Sequence, residues 1–276
     1  KTHNVRTDLD GNQSTSSFDA NAVGGYSAVI DLKQRSGSIS ISTAEPSSDV
    51  GGQSNGAFII TNDSGSGYQD NSGNGVFFGG AGYDNTSGYD GNDAIFAFAG
   101  DDRLTGGGGA DYLDGGAGAD NFVFIQGDSQ LASFLDNGAV GVGDGDVYNF
   151  ALGVDIIAGN GFATVKDQIN FYTSDPTVVS LSSLGAAPTT GLVTDQKYFL
   201  VQGNFANNSF SVASAAGKDT LIIYDGVPTA GVSQTAIVIT GVTPSQLTQN
   251  GSQIYLTSSV ASDVIAPTVP YSYIDG

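Results

Sequence analysis

Gly79-Gly-Ala-Gly-Tyr-Asp-Asn-Thr-Ser, Gly88-Tyr-Asp-Gly-Asn-Asp-Ala-Ile-Phe, Ala97-Phe-Ala-Gly-Asp-Asp-Arg-Leu-Thr, Gly106-Gly-Gly-Gly-Ala-Asp-Tyr-Leu-Asp and Gly115-Gly-Ala-Gly-Ala-Asp-Asn-Phe-Val follow one another without interruption. Asp84, Asp93, Asp102, Asp111 and Asp120 therefore recur every nine residues, each at the end of a glycine-rich turn. Two residues after each comes a larger or β-branched side chain: Thr86, Ile95, Leu104, Leu113 and Phe122. A fixed short period means one structural unit stacked on itself. Stretches rich in Gly, Asp and Asn are usually loops, but a linker has no reason to hold five copies in register with an apolar residue in phase.

Six residues of each copy suit a turn and three a short strand, so two copies close one flattened coil of a parallel β-roll. Copies n and n+2 then stack at the strand spacing of about 4.8 Å. Asp84 is placed over Asp102, Asp93 over Asp111, and Asp102 over Asp120. Two like charges at that distance repel by roughly 1 kcal/mol in water and about 3.5 kcal/mol at an effective dielectric near 20. A divalent cation between the turns reverses the sign. Ca²⁺ suits the position, because it takes six to eight hard oxygens in irregular geometry from carboxylates and carbonyls.

The expected metal ligands are the five aspartates with turn backbone from Gly79, Gly80, Gly82, Gly88, Asp90, Gly91, Ala97, Ala99, Gly100, Gly106, Gly107, Gly109, Gly115, Gly116 and Gly118. Pointing carbonyls into the gap requires backbone angles that a Cβ disfavours. Thr86, Leu104 and Phe122 are expected to stack inward on one sheet, with Ile95 and Leu113 on the other. That core is thin, and without the cation it buries too little area to offset its chain entropy.

The copies match the nonapeptide G-G-x-G-x-D-x-U-x, and the run resembles the RTX (repeats-in-toxin) family of secreted bacterial proteins. The resemblance implies a calcium-dependent β-roll. Two departures stand out. Ala97, Phe98 and Ala99 replace glycines in the third copy, which is expected to weaken or distort its sites. Asp70-Asn-Ser-Gly-Asn-Gly-Val-Phe-Phe is in phase but carries Gly75 at the aspartate position, and reads as a degenerate opening coil that caps the roll. Downstream, Asp146-Val-Tyr-Asn-Phe-Ala-Leu-Gly-Val-Asp-Ile-Ile and Lys166-Asp-Gln-Ile-Asn-Phe resemble the D-x-I-x-D-F-x-x-G-x-D-x-I segment that follows RTX repeats and closes the roll. Asn149 replaces its second aspartate. The later pattern around Asp219-Thr-Leu-Ile-Ile-Tyr-Asp resembles the C-terminal region of proteins exported by type I secretion.

Composition agrees with an all-β chain. Of 276 residues, 28 are acidic and eight basic, and Glu45 is the only glutamate. Scarce Glu and Lys with abundant Gly, Ser, Thr, Asn and Val favour strands and turns over helices. A net charge of −20 argues against nucleic acid and anionic membranes as partners. Hydrophobic content of 39%, with 12 Tyr and 15 Phe, argues against general disorder. Cysteine is absent, which excludes disulfides and thiolate metal sites and leaves bound calcium as a stabiliser. No apolar run is long enough for a membrane helix. The absence of a signal peptide and of methionine suggests a processed product or an excerpt.

Four regions are expected. Residues 1–66 form a β-rich segment, with strands at Tyr26–Leu32, Ser38–Ser42 and Ala57–Thr61 that are either further coils without the motif or part of a separate sandwich. Residues 67–124 form the roll, residues 125–262 a capping β-rich region, and residues 263–276 a linker or tail. Strands are expected at Lys197–Gln202, Ser209–Val212, Thr220–Tyr224 and Thr235–Thr240; several are too continuously apolar for a one-sided sheet.

No catalytic residue is assigned. His3 is the sole histidine, so neither the H-E-x-x-H zinc site of RTX proteases nor a serine-hydrolase triad has its ligands or base, and no G-x-S-x-G elbow is present. Asp101/Asp102 and Asp144/Asp146 are carboxylate pairs, but they read better as turn residues and calcium ligands than as glycosidase groups. The chain is expected to be a secreted, extracellular, non-enzymatic calcium-binding structural protein of the bacterial cell surface, such as an S-layer or matrix component. Its expected partners are calcium, further copies of itself in an array or fibre, a type I exporter and a surface polysaccharide, with no nucleic acid and no membrane insertion. The alternative is an accessory or secretion module of a larger RTX adhesin or polysaccharide-active enzyme. A polysaccharide-modifying enzyme in its own right, tested at Asp144 and Asp146, is a third reading.

Overall fold

The computed structural model describes residues 28–32, 39–42, 58–62, 66–69, 75–125, 133–135, 142–150, 153–159, 161–164, 166–172, 182–183, 197–225 and 234–258. Ten short strands come first: β1 (Ala28–Leu32), β2 (Ile39–Ser42), β3 (Phe58–Asn62), β4 (Ser66–Gln69), β5 (Val76–Gly80), β6 (Asn85–Asp90), β7 (Ala94–Phe98), β8 (Arg103–Gly108), β9 (Tyr112–Asp114) and β10 (Asn121–Ile125). They alternate between two sheets, odd strands in one and even strands in the other, and every neighbouring pair within a sheet is parallel. This is an all-β parallel roll.

Register follows the nine-residue period. Thr86 pairs with Leu104 and Leu104 with Phe122 on the even sheet, while Phe77 pairs with Ile95 and Ile95 with Leu113 on the odd sheet. All are buried, as side chains pointing into the roll must be, because strand side chains alternate faces.

The N-terminal strands join the same two sheets. β1 pairs with β3 and β3 with β5; β2 pairs with β4 and β4 with β6. They are further coils of the roll, not a separate sandwich. The in-phase segment at 70–78 is consequently not the cap expected from sequence, since coils lie on both sides of it. β4 carried no strand signal because Ser66-Gly-Tyr-Gln is short, polar and glycine-containing.

Beyond the repeats come β11 (Ser133–Leu135), β12 (Val147–Asn149), β13 (Asp155–Ile157), β14 (Gln168–Tyr172) and β15 (Ser182–Ser183), then β16 (Lys197–Ala206), β17 (Ser209–Val212), β18 (Asp219–Asp225), β19 (Thr235–Ile239), β20 (Leu247–Asn250) and β21 (Gln253–Leu256). β13 stacks parallel on β9 and β14 parallel on β10, adding one more coil. β19 adds a further parallel strand beside β13; antiparallel pairing then takes over through β18, β16, β17, β12 and β11 in the odd sheet, and through β21 and β20 in the even one. The segment expected to close the roll is thus split. Its second half, β13, stacks on the roll, whereas β12 lies far along the odd sheet between β11 and β17.

One apolar core runs from Phe77 through Ile95, Leu113 and Phe122 into Ile157, Ile169, Ile222, Ile239 and Ile254. A second core, with Tyr148, Phe210, Leu221, Ile223 and Val238, packs the opposite face of the extended odd sheet. β18 and β19 are therefore buried on both faces, which explains their unbroken apolar sequence. Phe162 packs edge-on against Phe122 at 5.7 Å. The described residues contain no helix long and apolar enough to cross a membrane.

Candidate calcium sites along the roll

Four of the five repeat aspartates are held by the coil before them. The backbone N–H groups of Gly75, Asp84, Asp93 and Asp102 donate to Oδ1 of Asp93, Asp102, Asp111 and Asp120 at 2.6, 2.8, 2.8 and 3.0 Å. In return the amide after each aspartate reaches back two copies: Arg103 N to Asp84 O at 2.8 Å, Tyr112 N to Asp93 O at 2.7 Å, and Asn121 N to Asp102 O at 2.8 Å. The five aspartates are brought into two buried columns, one along each edge of the roll.

The second carboxylate oxygen points toward the first residue of its own turn. A Cβ built on Gly79, Gly88, Gly106 or Gly115 would collide with Oδ2 of Asp84, Asp93, Asp111 or Asp120. The same Cβ on Gly79 would lie 2.6 Å from Ala97 O, and on Gly88 it would lie 2.6 Å from Gly106 O. At Gly100, with φ of +140°, it would meet Gly82 O at 2.5 Å and Asp102 Oδ1 at 2.7 Å. Carboxylate oxygens and carbonyls of the first and fourth turn positions thus converge on spaces that only glycine leaves open. The carbonyls of Gly80 and Phe98, at the second position, accept N–H bonds from Ala99 and Ala117 at 3.0 and 2.7 Å. Those of Gly108 and Ala117, at the third, accept from Gly91 and Gly100 at 2.8 and 2.9 Å. The carbonyls that share these spaces with the carboxylates are Ala97 O and Gly106 O of the first position and Gly82 O of the fourth; Ala97 O also accepts Ala99 N at 3.1 Å, and Asp90 is exposed.

The third copy follows the same path with the wrong residues. Its Phe98 adopts φ of +71°, and Tyr89 at the same position of the second copy adopts φ of +65°, a region that costs a residue with a Cβ about 1–2 kcal/mol. Phe98 recovers part of this by stacking on Phe78 at 6.2 Å. Ala97 places a methyl where four other copies have the glycine that makes room for Oδ2.

Two further aspartates occupy the same position without belonging to a repeat. Asp155 Oδ1 accepts from Asp111 N, and Asp167 Oδ1 from Asp120 N, both at 3.0 Å. The returning bonds, Ile156 N to Asp111 O at 2.7 Å and Gln168 N to Asp120 O at 2.8 Å, complete the pattern. The expected ligand set missed both, because they lie 44 and 47 residues beyond their partners where repeat pairs are separated by 18. Their local signature, an aspartate followed two residues later by Ile157 or Ile169, was present in the sequence.

Burial raises the Asp102 carboxyl to about 7, with the Asp84 and Asp101 charges adding and the Asp84 amide opposing. Burial likewise pushes Asp120 up to about 8, with Asp102, Asp167 and Asp101 reinforcing it and the Asp102 amide opposing. Oδ2 of both is buried and has no hydrogen-bond partner, a costly state for a carboxylate. Among the described residues no three His, Cys, Asp or Glu side chains converge. Each candidate site instead brings together a pair of aspartates and backbone carbonyls. This all-oxygen, irregular, anionic donor set fits calcium and suits neither zinc nor a soft metal.

The RTX calcium-binding nonapeptide repeat matches residues 87–122 in four copies. This segment belongs to the RTX repeat family. No curated protein shows significant similarity to the chain. The chain accordingly carries a calcium-binding repeat of RTX type, and the buried aspartate columns extend on both sides of the matched stretch, to Asp84 before it and to Asp155 and Asp167 after it.

The other candidate residues have local roles. Asp144 is exposed and accepts Ser214 N at 2.6 Å, which holds its carboxyl below the usual range. Asp146 is buried and accepts Gly143 N at 2.7 Å. Asn149 Oδ1 accepts the Ser209 hydroxyl at 2.8 Å, away from both aspartate columns. Asp101 Oδ1 accepts Ala119 N at 2.9 Å. His3 lies outside the described residues.

Proposed function

We propose that the chain is a secreted, non-enzymatic structural protein of a bacterial surface, such as an S-layer or matrix component, whose roll folds on meeting extracellular calcium. The observation that carries this reading is the buried aspartate column with Oδ2 of Asp102 and Asp120 lacking hydrogen-bond partners. Such a column is poorly stable with its carboxylates charged and gains most from a divalent cation. Extracellular calcium modules bind at about 0.1–1 mM, far above cytosolic levels, so export through a type I system precedes folding. The acidic, cysteine-free composition supports a surface role, with calcium bridging the acidic faces of neighbouring copies and a surface polysaccharide as a further partner. The hydrogen bonds of Asp144 to Ser214, in the turn after β17, and of Asp146 to Gly143 in its own loop support a structural role for that pair.

A calcium titration of the chelator-stripped chain tests this. Circular dichroism reports folding, and light scattering with negative-stain microscopy reports assembly. β structure and ordered arrays emerging together at about millimolar calcium support the reading. Folding without assembly moves the function to the accessory module of a larger RTX adhesin or enzyme, and a spectrum indifferent to calcium overturns both.

A further inference from the structure

The column containing Asp102 and Asp120 does not end as it runs. Asp167 stands at the aspartate position of the next coil, yet its surroundings differ from those of the repeats. Its Oδ2 accepts Ala163 N at 2.8 Å and Thr164 N at 2.7 Å. Its Oδ1 accepts the Thr164 hydroxyl at 2.9 Å besides Asp120 N at 3.0 Å. Four donors therefore surround a carboxylate that is fully buried, whereas Oδ2 of Asp102 and of Asp120 has none. Asp84 is intermediate, with Gly80 N donating to its Oδ2 at 3.1 Å.

Thr164 also reaches across the interval. Its hydroxyl oxygen lies 2.9 Å from Gly118 O, with its proton shared between that carbonyl and Asp167. Gly118 is the fourth-position residue of the last repeat, equivalent to Gly82, Gly91 and Gly100, whose carbonyls face the next coil. Three residues before each repeat aspartate stand Ala81, Asp90, Ala99, Gly108 or Ala117, none with a hydroxyl. Three before Asp167 stands Thr164.

We propose that the interval between the last repeat turn and the Asp167 turn holds no cation and is sealed by Thr164, whose hydroxyl and backbone N–H supply the positive ends that calcium supplies elsewhere. The inference rests on the calcium reading of the repeat intervals. The seal ends the metal column on this edge and gives the calcium-loaded roll a metal-independent joint with the C-terminal sheets. Phe162, edge-on against Phe122, shuts the apolar side of the same joint.

Native mass spectrometry of the full chain at saturating calcium, with circular dichroism to verify folding, tests the seal. Asp102→Asn is expected to lose at least one calcium ion, while Thr164→Val and Asp167→Asn keep the wild-type number. Thr164→Val is also expected to lower the calcium-saturated melting temperature by several degrees, and Thr164→Ser to leave it nearly unchanged. A folded Thr164→Val or Asp167→Asn protein carrying one ion fewer overturns the seal. If Asp167→Asn fails to fold, the milder Thr164→Val decides by the same count. A wild-type chain that binds no calcium overturns the repeat reading and the seal with it, an outcome distinct from loss of an ion in the Thr164 variant alone.

Discussion

The backbone N–H of Asp102 donates to Oδ1 of Asp120 at 3.0 Å, while Oδ2 of that carboxylate is buried with no hydrogen-bond partner. One oxygen sets the register between coils, and the other is the one proposed to face a cation. Asp102→Asn and Asp120→Asn keep an acceptor for the amide and remove the charge. Each is expected to raise the calcium midpoint for folding at least about ten-fold, equivalent to roughly 1.4 kcal/mol. Asp102 faces repeat coils on both sides, so its loss is expected to be the larger. Circular dichroism against free calcium for the two variants checks the order.

Chelation is expected to unravel the roll. A ligand that binds only the folded state adds about 2.7 kcal/mol per site at 100 times its dissociation constant. Excess EGTA at neutral pH should abolish the β signal of residues 75–125 and open the repeats to protease; resistance to cleavage there would contradict a metal-dependent fold.

Acid is expected to substitute for the cation. The unfolded aspartate titrates near 3.9, whereas Asp102 and Asp120 in the metal-free roll stand at about 7 and about 8, raised chiefly by burial. The folded state thus binds protons more tightly than the unfolded one. The resulting penalty is absent below the unfolded value and grows as pH rises through the folded values. The calcium-free chain should retain more β structure at pH 5 than at pH 8. Calcium binding near pH 7 should release protons, visible as a dependence of calorimetric heat on the buffer's ionisation enthalpy.

Ala97→Gly is expected to lower the calcium midpoint about three-fold, equivalent to roughly 0.6 kcal/mol. The methyl stands where the other copies leave room for Oδ2 of their aspartate. Removing it forfeits about 0.8 kcal/mol of apolar burial, so an unchanged midpoint would mean that the third turn already relaxes around the methyl.

The C-terminal sheets have a lock of their own that needs no metal. Asp219, buried in β18, accepts Phe205 N and Gly241 N at 2.8 Å each, pinning β16 and the turn after β19. Asp219→Ala is expected to cost about 3 kcal/mol, because charge-assisted bonds are lost and two amides are left without an acceptor. Urea denaturation at saturating calcium measures the loss, and the number of bound calcium ions should not change.

The repeats were legible because a period of nine contains turn, ligand and core residue together. Asp84 to Asp120 and Thr86 to Phe122 lie where the spacing places them. The continuously apolar Thr220–Tyr224 and Ala236–Ile239 likewise announced strands buried on both faces. The N-terminal strands were less informative: Ser38-Ile-Ser-Ile-Ser alternates equally well on a sandwich or on a roll. Only their parallel pairing with β4 to β6 distinguishes the two.

By itself, then, the sequence determined the repeating coil, its oxygen-rich turns and the metal they suit, since these depend on residues close together in the chain. The tertiary structure decided where the columns end. Asp155 and Asp167 reach the aspartate position from 44 and 47 residues away. Whether a carboxylate there faces a cation or the donors of Thr164 depends on which turn the chain folds against it. Spacing carries no information about that choice, because it is set by packing between segments distant in sequence.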